Sequence, residues 1–422
     1  MTVAPIPIPI AVAAPAPATA PSGSVAERLS RYLRPGVLAL AALPPLSVYV
    51  HIPWCLKKCP YCDFNSHALR SAAEAPPEAR YVDALVADLE ASLPFVWGRR
   101  VQTVFIGGGT PSLFAPESIA RLVAAIRARL PLEPGCEITM EANPGTFERD
   151  RFRAFAEAGI TRLSIGVQSF DDGCLSGLGR VHDAAQARAA IDEARAAFAT
   201  WNIDLMYALP GQSLDAFDAD LAAALACAPP HLSVYHLTIE PNTRFARYPP
   251  SGLPDVDLAA DMLDRIVART GAAGFERYEV SAFARPGQRS RHNINYWAFG
   301  DYLGIGAGAH GKLSFAHRIL RQVRLRDPVA YMAGAEAGAA VASEVEVARA
   351  DLAFEYMLNA LRLREGFELA AFSERTGLGI SAIDKPLAEA EQRGLITRDF
   401  QRVRPTSLGF DFLNDLQQLF LG

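Results

Sequence analysis

From Leu46 to about Thr238 the chain repeats one pattern six times: a short apolar run rich in β-branched and aromatic residues, then a longer stretch with apolar residues at helical spacing. The runs are "LSVYVHI" (46–52), "VQTVFI" (101–106), "EITME" (137–141), "TRLSIGV" (161–167), "WNIDLMY" (201–207) and "HLSVYHLTI" (231–239). Segments such as "ARYVDALVADLEASL" and "PESIARLVAAIRARL" separate them. A strand that is followed each time by a crossover helix lies parallel to its successor, and such crossovers are right-handed. Six units fall short of the eight that close a parallel barrel. The pattern therefore predicts an α/β fold, a partial and open (β/α)6 barrel.

At 422 residues the chain exceeds one compact core, so a second, smaller domain is expected. After about Asp351 the pattern changes to "FEYMLNALRL", "LAAFSERTG" and "SAIDKPLAEAEQRG", followed by a β-like pair, "LITRD" and "RVRPT". Three helices with a hairpin predict a helical, winged-helix-like module. Residues 1–40 read as a disordered Pro/Ala-rich arm, 41–330 as the barrel with a C-terminal extension, and 331–422 as the helical domain. The arm has no Lys or Arg before Arg28 and is studded with proline, unlike a secretory signal.

The formal charge of −5 argues against nucleic acid as partner. So does the third helix of the module, where Asp384, Glu389 and Glu391 outnumber Lys385 and Arg393. No apolar run reaches the roughly 18 to 20 residues needed to cross a bilayer. Six cysteines, three clustered and three scattered, suit a reducing, cytoplasmic location better than a disulfide framework.

The cluster is "HIPWCLKKCPYCDFNSH", with Cys55, Cys59 and Cys62 in C-x3-C-x2-C spacing just past the first strand, where barrel loops carry chemistry. Three readings stand side by side: a zinc site completed by His51 or His67, three free buried thiols, and a [4Fe–4S] cluster held at three irons with the fourth open. The spacing resembles that of the radical S-adenosylmethionine (SAM) proteins, in which SAM chelates the open iron and is cleaved by one electron to a deoxyadenosyl radical. Such a ligand needs polar partners. "GGGTPS" follows the second strand, Glu141, Gln168 and Asp204 stand at or near the ends of the third, fourth and fifth, and Arg180 offers a cation for its carboxylate.

The motifs "YVHIPWCLKKCPYC", "GGGTPS", "ITMEANP", "SIGVQSF", "IDLMYALPGQ", "TIEPNT" and "HNINYW" together resemble the coproporphyrinogen III oxidase-like radical SAM family over roughly residues 33 to 420. The resemblance implies a radical SAM barrel with Cys55, Cys59 and Cys62 as cluster ligands. It implies SAM contacts from Tyr49, Tyr61, Gly108, Gly109, Thr110, Glu141, Gln168, Arg180 and Asp204, with Thr238 as a further position. The oxidase branch carries another cysteine one residue after the third, where this chain has Phe64. The heme-chaperone branch has phenylalanine there, and it also carries H-N-x-x-Y-W, here His292, Asn293, Tyr296 and Trp297.

That branch implies heme as a further cofactor, and a function of delivering heme to an acceptor such as a respiratory membrane protein. It also implies an electron donor and dimerisation on heme binding. Oxidative decarboxylation of coproporphyrinogen III in porphyrin biosynthesis is the alternative activity. Relatives often have cysteine two residues before the histidine, where this chain has Ser290. His292 is then the expected iron ligand, with Tyr296 and Trp297 stacked on a porphyrin face. The competing reading has His292 and Asn293 bonding a loop while the aromatics fill core.

Overall fold

A computed structural model describes residue 21 and residues 23–69, 75–145 and 151–421. Six parallel strands are present as expected: β1 (Leu46–Ile52), β2 (Val101–Gly108), β3 (Leu132–Ala142), β4 (Arg162–Gln168), β5 (Thr200–Tyr207) and β6 (His231–His236). Their crossovers carry helices α2 (Glu78–Ser92), α3 (Pro116–Arg129), α4 (Phe152–Glu157), α5 (Ala184–Ala197) and α6 (Leu214–Ala226). Val48, Val50, Val104, Ile106, Ile138, Met140, Leu163, Ile165, Ile203 and Leu205 point outward under these helices and are buried. That apolar layer fastens helices to sheet by a non-directional force proportional to the area removed from water.

The sheet does not close. Beyond β1 a seventh parallel strand, β7 (Asp301–Ile305), is added, followed by the antiparallel meander β8 (His310–Phe315), β9 (Arg318–Arg324) and β10 (Val341–Glu346). Beyond β6 lie two short antiparallel strands, Ala282–Ala284 and Glu276–Arg277. Twelve strands thus form one open sheet.

Two expected boundaries shift. Residues 1–20 and 22 of the arm lie outside the described residues, but its end, placed at residue 40, is ordered. Ser24 and Glu27 form a reciprocal capping box that opens helix α1 (Val25–Tyr32). Arg28 reaches Glu344 of β10 at 2.7 Å, and Tyr32 bonds the same carboxylate. Leu38 and Leu40 continue into the core of the C-terminal domain. That domain, expected from 331, begins after β10, because 341–346 complete the main sheet.

From Leu352 onward, helices Leu352–Ala360, Leu369–Thr376 and Asp384–Gln392 pack with a three-stranded sheet of Phe367–Glu368, Ile396–Arg398 and Arg402–Pro405. This is the winged-helix arrangement. Arg398 pairs with both Asp384 (3.1 Å) and Glu391 (2.8 Å), so the acidic helix is neutralised from within the domain. Among the described residues, no helix is long and apolar enough to cross a membrane.

Candidate functional site: a polar barrel interior behind a three-thiol loop

A strand in a doubly covered parallel sheet is ordinarily apolar on both faces. Here the inward face of every strand from β3 to β6 carries polar residues: Thr139 and Glu141, then Arg162, Ser164 and Gln168, then Asn202 and Asp204, then His231, Ser233 and Tyr235. They line one cavity of about 590 Å³ inside the partial barrel. Cys55, Cys59 and Cys62 close one end of it, with Tyr61, Phe64, Gly108, Gly109, Thr110, Arg180 and Thr238 around them. Asn293 and Trp297 lie on the same cavity, with Ser290. Of the sequence-predicted residues, Tyr49, His292 and Tyr296 are not on its wall.

The cysteine loop is pinned by main-chain bonds to the glycine-rich turn: Gly109 N–H donates to Ile52 O (2.8 Å) and Thr110 N–H to Trp54 O (2.7 Å). A β-carbon at Gly109 would stand 2.5 Å from Trp54 O, and Gly108 holds φ +118° against the His51 ring. Only glycine permits that approach. Thr110 Oγ1 donates to Cys55 Sγ (3.6 Å), Ser66 Oγ lies 3.7 Å from Cys62 Sγ, and Arg180 Nη1 donates to Cys59 Sγ (3.7 Å). Burial pushes the Cys55 thiol up to about 11 and raises that of Cys62.

Among the described residues no three His, Cys, Asp or Glu side chains are gathered as a metal site. The donor set nonetheless fits an iron–sulfur cluster: three soft sulfurs open onto one cavity, with polar donors beside each. The zinc alternative fares worse. His51 is committed on both ring nitrogens, to Tyr49 Oη (2.9 Å) and Asn65 O (2.9 Å), and His67 does not line the cavity.

The residues expected to hold SAM mostly converge. Glu141 is partly buried and accepts the Gly108 N–H (3.0 Å). Burial lifts its carboxyl to about 7, with the nearby Asp204 charge adding to the rise and the Gly108 bond opposing it. Asp204 is likewise raised by burial and is held by Ser164 Oγ (3.0 Å) and Asn202 Nδ2 (2.7 Å). Gln168 sits at φ 69°, a left-handed conformation that costs energy for a residue with a β-carbon, and lines the cavity.

Arg180 donates to Asn143 Oδ1 (2.5 Å) and Gly166 O (2.8 Å), and its buried Nε has no protein partner. Asn143 donates on to Thr110 Oγ1 (2.8 Å), completing a polar chain from Arg180 to Cys55. Tyr49 departs from expectation. Its ring stacks on Phe105, which does line the cavity, and its hydroxyl serves His51.

The H-N-x-x-Y-W residues form the short helix α7 (Arg291–Trp297), whose N-cap is Ser290: its hydroxyl accepts the Asn293 N–H (3.3 Å). The helix closes the barrel from below. His292 Nδ1 bonds Thr103 Oγ1 (2.8 Å), Thr103 bonds Ser47 (2.7 Å), and Asn295 donates back to Ser47 (2.8 Å). His292, expected on a porphyrin iron, does not line the cavity, and its Nδ1 is engaged by Thr103. Burial drops its imidazole to about 3, and its ring lies against that of Phe105, which lines the cavity. Tyr296 turns outward, packed on Tyr302 (4.9 Å) and edge-on to Trp297 (5.1 Å). Asn293 and Trp297 are the members that face the cavity.

Sequence reasoning missed Asn143, Arg162, Asn202, His231, Ser233 and Tyr235. The period-two alternation of polar and apolar residues within β3–β6 was the signal that marks them.

An open parallel barrel with three thiols at the C-terminal rim of its first strand and carboxylates along its inner wall defines a radical SAM protein, and a family model described as "Radical SAM superfamily" matches residues 49–224. A second, "HemN C-terminal domain", matches 347–412. The chain is 46% identical to the heme chaperone HemW of Escherichia coli over 90% of its own length and 100% of that protein's, and 45% identical to HemW of Haemophilus influenzae over 90% and 98%. The chain belongs to the HemW family. Among solved structures, coproporphyrinogen III oxidase (HemN) from Escherichia coli superposes with a TM-score of 0.78, covering 96% of this chain and 94% of that one; at 24% identity it shares the fold.

Proposed function

We propose that this chain is a heme chaperone. It carries a [4Fe–4S] cluster on Cys55, Cys59 and Cys62, binds SAM against Gly108–Thr110, Glu141, Gln168, Arg180 and Asp204, binds heme, and passes the heme to an acceptor protein. The observation that carries the reading is the single cavity that joins the three thiols to Asn293 and Trp297. Its support is the full-length similarity to relatives named as heme chaperones. When bound, the cluster supplies one electron to SAM chelated at its open iron.

The chain's own residues orient and shield. Arg180 and Asn143 brace Thr110 and the Cys55 and Cys59 sulfurs, while the partly buried Glu141 and Asp204 accept hydrogen bonds from hydroxyl or ammonium groups of SAM. The Trp297 ring, braced by the Arg362 guanidinium at 4.2 Å, offers a flat apolar face to a porphyrin. Tyr61, ringed by Arg180 and Phe245, meets the adenine end. An electron donor, dimerisation on heme binding and a cytoplasmic location complete the proposal. Phe64, half-exposed at the mouth, stands where the oxidase branch adds a cysteine, and so disfavours decarboxylation of coproporphyrinogen III.

Anaerobic reconstitution tests the proposal: about four irons per chain, heme that co-elutes in gel filtration, and no coproporphyrinogen turnover. A cluster-loaded preparation that retains no heme would refute it.

A further inference from the structure

The cavity extends inward past the SAM-facing residues to a wall that none of them uses. Arg162 opens β4, and Thr139 on β3 is its register partner. Their exposures are 3% and 2%. Arg162 Nη1 donates to Thr200 Oγ1 (3.2 Å) and to Gln288 O (3.2 Å). The Glu137 carboxylate stands 3.8 Å from that nitrogen, beyond hydrogen-bond reach, and accepts the His292 N–H instead (3.1 Å).

The second guanidinium nitrogen, Nη2, has no partner in the protein; neither has Thr139 Oγ1, nor Trp297 Nε1. All three residues line the same cavity. Buried donors without partners are rare, since each forfeits its hydration and gains nothing in return. With Arg180 Nε set aside at the thiol end, three remain on the cavity, one of them cationic and only loosely compensated, and they mark the place of an acceptor that bears negative charge.

We propose that Arg162, Thr139 and Trp297 form an anchor for a carboxylate of the bound tetrapyrrole, a propionate side chain, at the inner end of the cavity. The proposal rests on the heme-binding reading. A carboxylate matches the set because its two oxygens accept from Nη2 and from a neighbouring hydroxyl or indole N–H at once. The carboxylate of SAM is served elsewhere: Arg180 lies at the thiol end, and Arg162 is six residues before Gln168 along β4, a distance of about 20 Å.

The test compares hemin with hemin dimethyl ester, which lacks both propionate charges, by equilibrium titration of the cluster-loaded protein, alongside titration with SAM. Wild type is expected to prefer hemin by about tenfold or more. Arg162→Gln should bring the two ligands close to parity while SAM affinity is unchanged. Thr139→Val removes one donor and keeps shape, and Trp297→Phe removes the indole N–H and keeps an aromatic face; any lost stacking weakens hemin and its ester alike, so each variant should narrow the preference even if the arginine variant does not fold.

Equal binding of both porphyrins by wild type overturns the anchor while leaving heme binding intact. A loss of SAM affinity with the hemin preference retained assigns the anchor to SAM and overturns it as a propionate site. Binding of neither porphyrin by wild type removes the heme reading itself, and the propionate assignment with it.

Discussion

Replacing Glu141 by Gln should stabilise the metal-free protein above neutral pH and weaken its hold on SAM. In the folded chain burial raises this carboxyl from an ordinary value near 4.5 to about 7. Below pH 4.5 the group is protonated in folded and unfolded chains alike and costs nothing. As pH rises the unfolded chain ionises first, so wild type loses stability between about 4.5 and 7, and the penalty levels off above 7. A rise of that size corresponds to about 3 kcal/mol. Glutamine pays no such cost and still offers an oxygen to the Gly108 N–H. The expected result is a gap between variant and wild type that is near zero at pH 4.5, widens to about 3 kcal/mol by pH 7.5, and favours the variant.

Urea unfolding of both proteins at matched pH values measures the gap, and SAM titration of the reconstituted pair measures the functional loss, expected at about tenfold. A gap that is flat between pH 5 and 8, or a variant less stable than wild type at pH 8, refutes the assignment of a desolvated carboxyl to this position. Retained SAM affinity would leave the stability argument standing and remove Glu141 from the ligand set.

Two further substitutions probe the scaffold. Thr103→Val leaves the buried His292 Nδ1 and Ser47 Oγ without their shared partner; thermal unfolding should show a loss of about 2–4 kcal/mol, and tryptophan fluorescence should report a loosened Trp297. Arg324, fully buried on Asp88 at 3.0 Å and bonded also to Ser92 and Gln322, ties the meander to α2. Arg324→Met should cost about 3–5 kcal/mol by stranding the Asp88 charge, and Arg324→Met with Asp88→Leu should recover much of it in the same unfolding assay.

The strand–helix alternation was legible because it is written in local periodicity: each of the six runs from "LSVYVHI" to "HLSVYHLTI" became a parallel strand, and the last stopped at His236. The capping box of Ser24 and Glu27 is local as well, but the proline-rich composition around it read as disorder, and the helix that ties residues 25–32 to Glu344 was not expected. Its partner lies 316 residues away, and no local pattern announces that contact. An extension of the barrel was expected up to residue 330, but its form as strands β7–β10 was not legible, since its place beside β1 depends on pairing between strands about 250 residues apart.

By itself the sequence determined the three-thiol loop, the glycine turn and the six strand–helix units, all of which are set by spacing within a few dozen residues. Tertiary structure alone decided that the polar alternate residues of β3–β6 enclose one cavity, because sheet curvature brings the concave faces of four strands together. It also divided "HNINYW" between two jobs, sending His292 to Thr103 across 189 residues and turning Asn293 and Trp297 to the cavity. A helix presents different faces to floor and cavity, and which residue meets which is fixed only once the barrel that it plugs has formed.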